Sequence, residues 1–244
     1  KQILIFPTTM EPLGEIARDL PDNCEVLTEA HVEFLKRWDR KGFVGRLGSG
    51  SRVKGVVREV LASRPFAPRD VIGEAAQIRG ACNAIEDVLG SRFSEVRAVV
   101  SFWLNRGACI AAELSRRHKR IVAVSRGHGG DIYAHRRSLA HLPMQRPALR
   151  ELQAILPDSS AGVKHLQEKY PEIARKVRVG RLGVDENDLA AASTDNRLHI
   201  VSVASLLPVK RIHLLAAALQ HTERGIKWTH IGGGQTLDAV QTEL

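Results

Sequence analysis

Two stretches of this 244-residue chain hold chemistry-bearing residues at useful spacing. Across residues 198–235 an apolar run leads through Leu207 and Pro208 to Lys210 and Arg211 at the head of a helical pattern. A second apolar run there ends in Ile231-Gly232-Gly233-Gly234. A helix N-terminus offers unpaired N–H groups and the positive end of the helix dipole, to which Lys210 and Arg211 add two full charges. A glycine cluster after a strand lets backbone approach a phosphate or a sugar without a Cβ in the way. Taken singly, these features read as a solvated lysine and a plain turn. Paired at this spacing, they point to an anionic ligand. The second stretch is Val124-Ser-Arg-Gly-His-Gly-Gly-Asp-Ile-Tyr133, in which His128 lies between glycines just past an apolar run. Open α/β sheets place ligands at the carboxyl ends of their strands, and His128 falls there if the run is a strand. The alternative is a histidine that only locks its own loop, with Asp131 orienting the imidazole or capping the next helix.

The elements that position these residues are legible as alternating patterns. Apolar runs at residues 2–6, 96–102, 121–125, 154–156, 177–179, 198–204 and 227–231 predict strands. Helical patterns at 53–63, 71–89, 106–118, 161–170 and 209–221 separate them, and residues 40–51, rich in glycine and basic residues, predict a connection. In the last helix Ile212, Leu215, Ala216 and Leu219 recur at offsets of three and four, which puts one apolar stripe against a sheet. The alternation predicts parallel sheets covered by helices. The small polar stretch 190–196 is the expected boundary between an N-terminal domain over 1–190 and a second α/β unit over 197–244. A strand, a helix and a strand leave most of their apolar faces uncovered, so that second unit reads as the cut beginning of a domain.

Composition sets the outer limits. A chain with 43% hydrophobic and 26% charged residues can bury a full core. Its longest stretch without Lys, Arg, Asp or Glu, 198–209, is far below the roughly 20 apolar residues of a membrane span. With no leader-like segment at its start, the chain is expected in the cytoplasm, with the inner face of the plasma membrane as a second location. Cys24, Cys82 and Cys109 are odd in number and widely separated, which predicts reduced core thiols rather than a disulfide framework or a metal site. The net charge of +9 is concentrated: Arg116 to Arg150 holds nine Lys and Arg against one Asp, 9 − 1 = +8. Such a run suits an anionic membrane surface, a phosphorylated small molecule or nucleic acid, or is simply a solvated face.

The run from Ile200 to Arg211, followed by Trp228-Thr-His-Ile-Gly-Gly-Gly234, resembles the donor-site pattern of family 4 glycosyltransferases. That pattern is a strand, a Gly-Arg-Leu-like turn, a Lys-Gly helix start and an Ile-Gly-Asp-Gly-like turn. The segment around His128 resembles the loop that sets a histidine near the transferred sugar in that family. Residues 154–166 and 179–185, with Ser159 and Asp185 as positional markers in capping and turn roles, extend the likeness over most of the second half. The resemblance implies a GT-B fold: a Rossmann-like N-terminal domain with a parallel sheet, plus the first β-α-β portion of a second Rossmann-like domain. It implies retaining transfer of a sugar from a nucleoside-diphosphate sugar to a glycan or lipid-linked acceptor, as in cell-surface polysaccharide or glycolipid synthesis. The resemblance implies that neither a cofactor nor a metal is required. In that reading Lys210 holds the donor diphosphate, and Gly232 and Gly234 form the second turn. His128 contacts the sugar, and Arg126, Arg136 and Arg137 bracket it. The sequence departs from the pattern at three places: Ser205 stands for the usual phosphate-binding Arg, Arg211 for Gly, and Gly233 for Asp. Arg211 is the candidate to supply the missing guanidinium. A pair of glutamates eight positions apart, which the family carries on a later helix, has no counterpart by Leu244, so the chain alone is expected to be inactive. Three other readings are a nucleotide-sugar 2-epimerase of the same fold, a noncatalytic, basic nucleic-acid binder, and a degenerate, scaffold-like paralogue suggested by Ser205 and Gly233. Aromatic residues at 5% leave the second few stacking platforms, and no nucleic-acid partner is expected.

Overall fold

The computed structural model describes residues 2–7, 21–40, 68–133, 135, 144–183, 197–222 and 225–242, and the chain divides into two compact units, Lys1–Gly183 and Val184–Leu244. Both are α/β units built on parallel strands. The expected helix at 53–63, most of the connection at 40–51, the boundary stretch 190–196, and Arg136, Arg137 and Asp185 lie outside the described residues.

In the first unit β1 (Ile3–Ile5) pairs in parallel with β2 (Cys24–Val26), and helix α1 (Thr28–Arg40) follows. Helix α2 (Pro68–Leu89) leads to β3 (Ala98–Ser101), and α3 (Arg106–Arg117) to β4 (Val122–Gly127). A single helical turn, α4 (Gly129–Ile132), and α5 (Gln145–Glu151) precede β5 (Ala154–Pro157), and α6 (Ser160–Lys169) closes the series. β3, β4 and β5 form one parallel sheet in that order, with Val100 opposite Val124 and Ser125 opposite Ile155.

Helix α3 is short of large side chains where it is most buried. Ala108, Ala111 and Ala112 let it lie close against β3 and β4, while Ile110 and Leu114 fill the core. Asn105 begins this helix by accepting from the Gly107 amide, and Ser159 does the same for α6 through Gly162. Cys82 and Cys109 are buried and form no disulfide, as expected, whereas Cys24 is only half-buried. Burial in apolar surroundings pushes the Cys82 thiol far above its ordinary range.

The strand expected at 177–179 is reduced to one bridge between Ile155 and Val177. The Arg178 and Gly180 amides donate to the Ile155 and Pro157 carbonyls. A parallel ladder also needs a return bond from residue 157, and proline has no N–H to give.

The second unit is smaller. Strand β6 (Leu198–Val203) pairs in parallel with β7 (Ile226–Ile231) over their full lengths, joined through helix α7 (Ile212–Gln220), and α8 (Leu237–Thr242) follows. Its core is Leu206, Ile212, Ala216 and Val240, with Ala204 and Trp228 against it. The other face of the strand pair leaves Val201, Val203 and Ile231 exposed, because one crossover helix covers only one side of a sheet. Among the described residues, no helix is long and apolar enough to cross a membrane.

Candidate functional site

In the second unit the two halves of the Lys210 motif are stitched together by backbone hydrogen bonds at the carboxyl ends of β6 and β7. Ala204 N–H donates to the Ile231 carbonyl (3.1 Å), Leu206 N–H to Gly233 (2.8 Å), and Thr236 N–H to Leu206 (3.0 Å). This proximity makes two of the three glycines obligatory. A Cβ on Gly232 would lie 2.0 Å from the Ala204 carbonyl oxygen, and one on Gly234 would lie 2.7 Å from that of Leu206. Both glycines also hold φ in the left-handed half, at 138° and 148°. Gly233 between them faces open space.

Lys210 ends a 3-10 turn (Pro208–Lys210), so it sits just before the helix rather than on its first turn, and α7 starts at Ile212. Arg211 bridges turn and helix in the left-handed conformation, φ 54° and ψ 33°, a region that costs an L-residue roughly 1–2 kcal/mol. Ser205, Lys210 and Arg211 are all exposed. Under this edge, on the covered face, Ser202 Oγ accepts from the Trp228 indole N–H at 2.9 Å and lies 2.8 Å from His230 Nδ1.

In the first unit His128 sits at the carboxyl end of β4 as expected, but its ring is buried and occupied. Nε2 lies 3.0 Å from the Phe102 carbonyl and Nδ1 3.5 Å from an Asp158 carboxylate oxygen, while the ring packs against Phe102 and Trp103 at centroid distances of 4.8 and 4.5 Å. Asp131 is also buried. Its two oxygens accept from the His128 amide at 2.6 Å and from the Leu104 amide. Burial pushes its carboxyl above the usual range, against the pull of those two amides. Both residues therefore fix the loop that follows β3, which the spacing of the sequence did not single out.

That loop, Phe102-Trp103-Leu104, carries two exposed aromatic side chains next to the buried histidine. The signal for it is the Phe-Trp pair directly after an apolar strand, in a chain with only six Phe, three Trp and two Tyr.

The basic run is largely occupied within the fold. Arg116 and Arg117 clasp Glu113, Arg117 and His118 reach Glu86 on α2, and Arg146 and Arg150 share Glu172. Arg120 donates to the Phe93 carbonyl and stands over its ring, and Arg126 donates to the Gly180 carbonyl. Burial opposes ionisation of Glu113, but the hydrogen bonds of Arg116 and Arg117 outweigh it and hold that carboxyl below its ordinary range.

No protein-family model and no curated protein matches this sequence. Among the described residues, no group of three or more His, Cys, Asp or Glu side chains is placed to hold a metal ion.

Proposed function

We propose that this chain supplies the acceptor-side domain and the phosphate-binding edge of a GT-B, retaining glycosyltransferase that uses a nucleoside-diphosphate sugar. The observation that carries this reading is the backbone at the places where the sequence departs from the family pattern. Arg211 replaces a glycine yet keeps a glycine's left-handed conformation, and Gly233 leaves room for the aspartate it replaces.

In this reading the leaving diphosphate lies over the carboxyl ends of β6 and β7. Its charge is met by the Lys210 ammonium, the Arg211 guanidinium and the open amides of the first turn of α7. Gly232 and Gly234 keep the second turn flat against the loop after β6, so that no side chain blocks the edge. His128 acts as a positioning residue, since its ring nitrogens already face Phe102 and Asp158.

A thermal-shift panel of uridine, guanosine and adenosine diphosphate sugars tests the assignment. One nucleotide sugar raises the melting temperature, and Lys210→Ala removes the effect while Lys227→Ala, on the exposed side of β7, does not. Stabilisation by DNA alone, or by none of the nucleotide sugars, overturns the reading.

A further inference from the structure

Seven polar or charged residues are buried among the described residues: His31, Ser101, Ser115, Ser125, His128, Asp131 and Gln145. Five of these seven act on the backbone of one three-residue loop. The Phe102 carbonyl faces His128 Nε2 at 3.0 Å. The Trp103 carbonyl accepts from Ser101 Oγ at 2.5 Å, and Ser125 Oγ, 3.3 Å away, divides its proton between that carbonyl and Arg126. The Leu104 amide donates to Asp131, and the Leu104 carbonyl accepts from Gln145 Nε2 at 2.8 Å. Gln145 also donates to the Asp131 carbonyl at 3.0 Å, which ties the clamps to one another.

Burying polar side chains is unfavourable unless each is satisfied, and a concentration of them on one loop overdetermines its conformation. The conformation held in this way does not bury the loop. Leu104 is inside, but Phe102 and Trp103 are 54% and 46% exposed. They meet edge to face at 5.8 Å, and both rings rest on the His128 imidazole, which sets their tilt from below. Rigid backbone, supported rings and exposed aromatic area are the properties of a preorganised binding platform rather than of a core. It stands at the carboxyl ends of β3 and β4, where parallel sheets receive ligands.

We propose that Phe102 and Trp103 form the platform on which the acceptor stacks the apolar C–H face of a pyranose ring. The choice of a sugar rests on the transferase reading above; the existence of a preorganised aromatic platform does not. The carboxylate of Asp158, one-third exposed beside His128, is a group able to accept from a ring hydroxyl. His128, Asp131, Gln145, Ser101 and Ser125 are positioning residues that act through the backbone. Since every clamp grips main-chain atoms, the two aromatic side chains can be replaced without undoing the loop.

The test is a tryptophan-fluorescence titration of the full chain with the methyl glycosides of glucose, galactose, mannose and N-acetylglucosamine, with sorbitol as an open-chain control. At least one glycoside changes the emission saturably and sorbitol does not. Trp103→Ser weakens that binding about tenfold or more, followed by calorimetry, while Trp103→Phe retains most of it. Both variants keep the wild-type melting temperature, and Trp228→Phe keeps the signal. No saturable response to any glycoside, or binding unchanged in Trp103→Ser, overturns the proposal. So does response to a single-stranded oligonucleotide without response to any glycoside. Glycoside binding without any nucleotide-sugar binding keeps the platform and removes the transferase; the reverse keeps the transferase and removes the platform.

Discussion

The two candidate sites reach rigidity by opposite means. The loop after β3 is held by buried side chains, with His128, Asp131 and Gln145 each closing bonds to main-chain atoms. The edge at β6 and β7 is stitched by main-chain bonds, through Ala204, Leu206 and Thr236, and needs glycine at positions 232 and 234. The first is sensitive to what a side chain can donate or accept, the second to the presence of a side chain at all.

Substitutions that break this contrast should rank accordingly. Gly232→Ala has the largest effect, because its Cβ would overlap a backbone oxygen at 2.0 Å; it should cost the second unit more than about 3 kcal/mol. Urea unfolding followed by Trp228 emission measures this, with Gly233→Ala as the near-neutral control. Asp131→Ala comes next. It strands the buried His128 and Leu104 amides, at about 1–3 kcal/mol each, and Asp131→Asn, which can accept from one of them, loses less. Arg211→Gly moves the other way and gains about 1 kcal/mol by releasing the left-handed arginine, less the added freedom of the unfolded chain. If its guanidinium holds diphosphate, the same variant binds nucleotide sugar more weakly while being more stable.

Acid should separate the buried carboxylates in a smaller effect. Glu113 is held low by Arg116 and Arg117, so its contribution is full above the unfolded value of about 4.3 and is lost as pH falls through the lower folded one. Asp131 is held high, so its contribution is full below the unfolded value and is lost as pH rises through the folded one. Between about pH 5 and pH 3, Glu113→Gln should therefore lose less stability than the parent chain, and Asp131→Asn more, by urea midpoints.

Much of the alternation of strand and helix was legible, because strands packed against helices write apolar runs into the sequence at β3 and β4, and an alternation of buried and exposed residues at β6 and β7. Strand β2 was not, since Cys24-Glu25-Val26 is three residues with a charge in the middle and owes its form to pairing with β1. Helix α5 was hidden for a related reason. It begins after Met144, a left-handed residue with no capping side chain, and is held through Gln145 instead.

At the candidate sites, the spacing singled out Lys210, the glycines and His128 but not what His128 grips. A hydrogen bond from residue 128 to the carbonyl of residue 102 is a fact of the sheet, and no local pattern contains it. The concentration of basic residues gave no sign of the partners it has within the fold for the same reason: Glu86 and Glu172 lie on elements distant in sequence.

Phosphorus NMR addresses the diphosphate edge most directly. Titrating the chain into a uridine, guanosine or adenosine diphosphate sugar should shift and broaden both diphosphate resonances for one nucleotide. Lys210→Ala should weaken that response about tenfold or more, the loss of one charged hydrogen bond. Resonances that stay unperturbed with every nucleotide, or a response that Lys210→Ala leaves intact, would contradict a phosphate site at the head of α7.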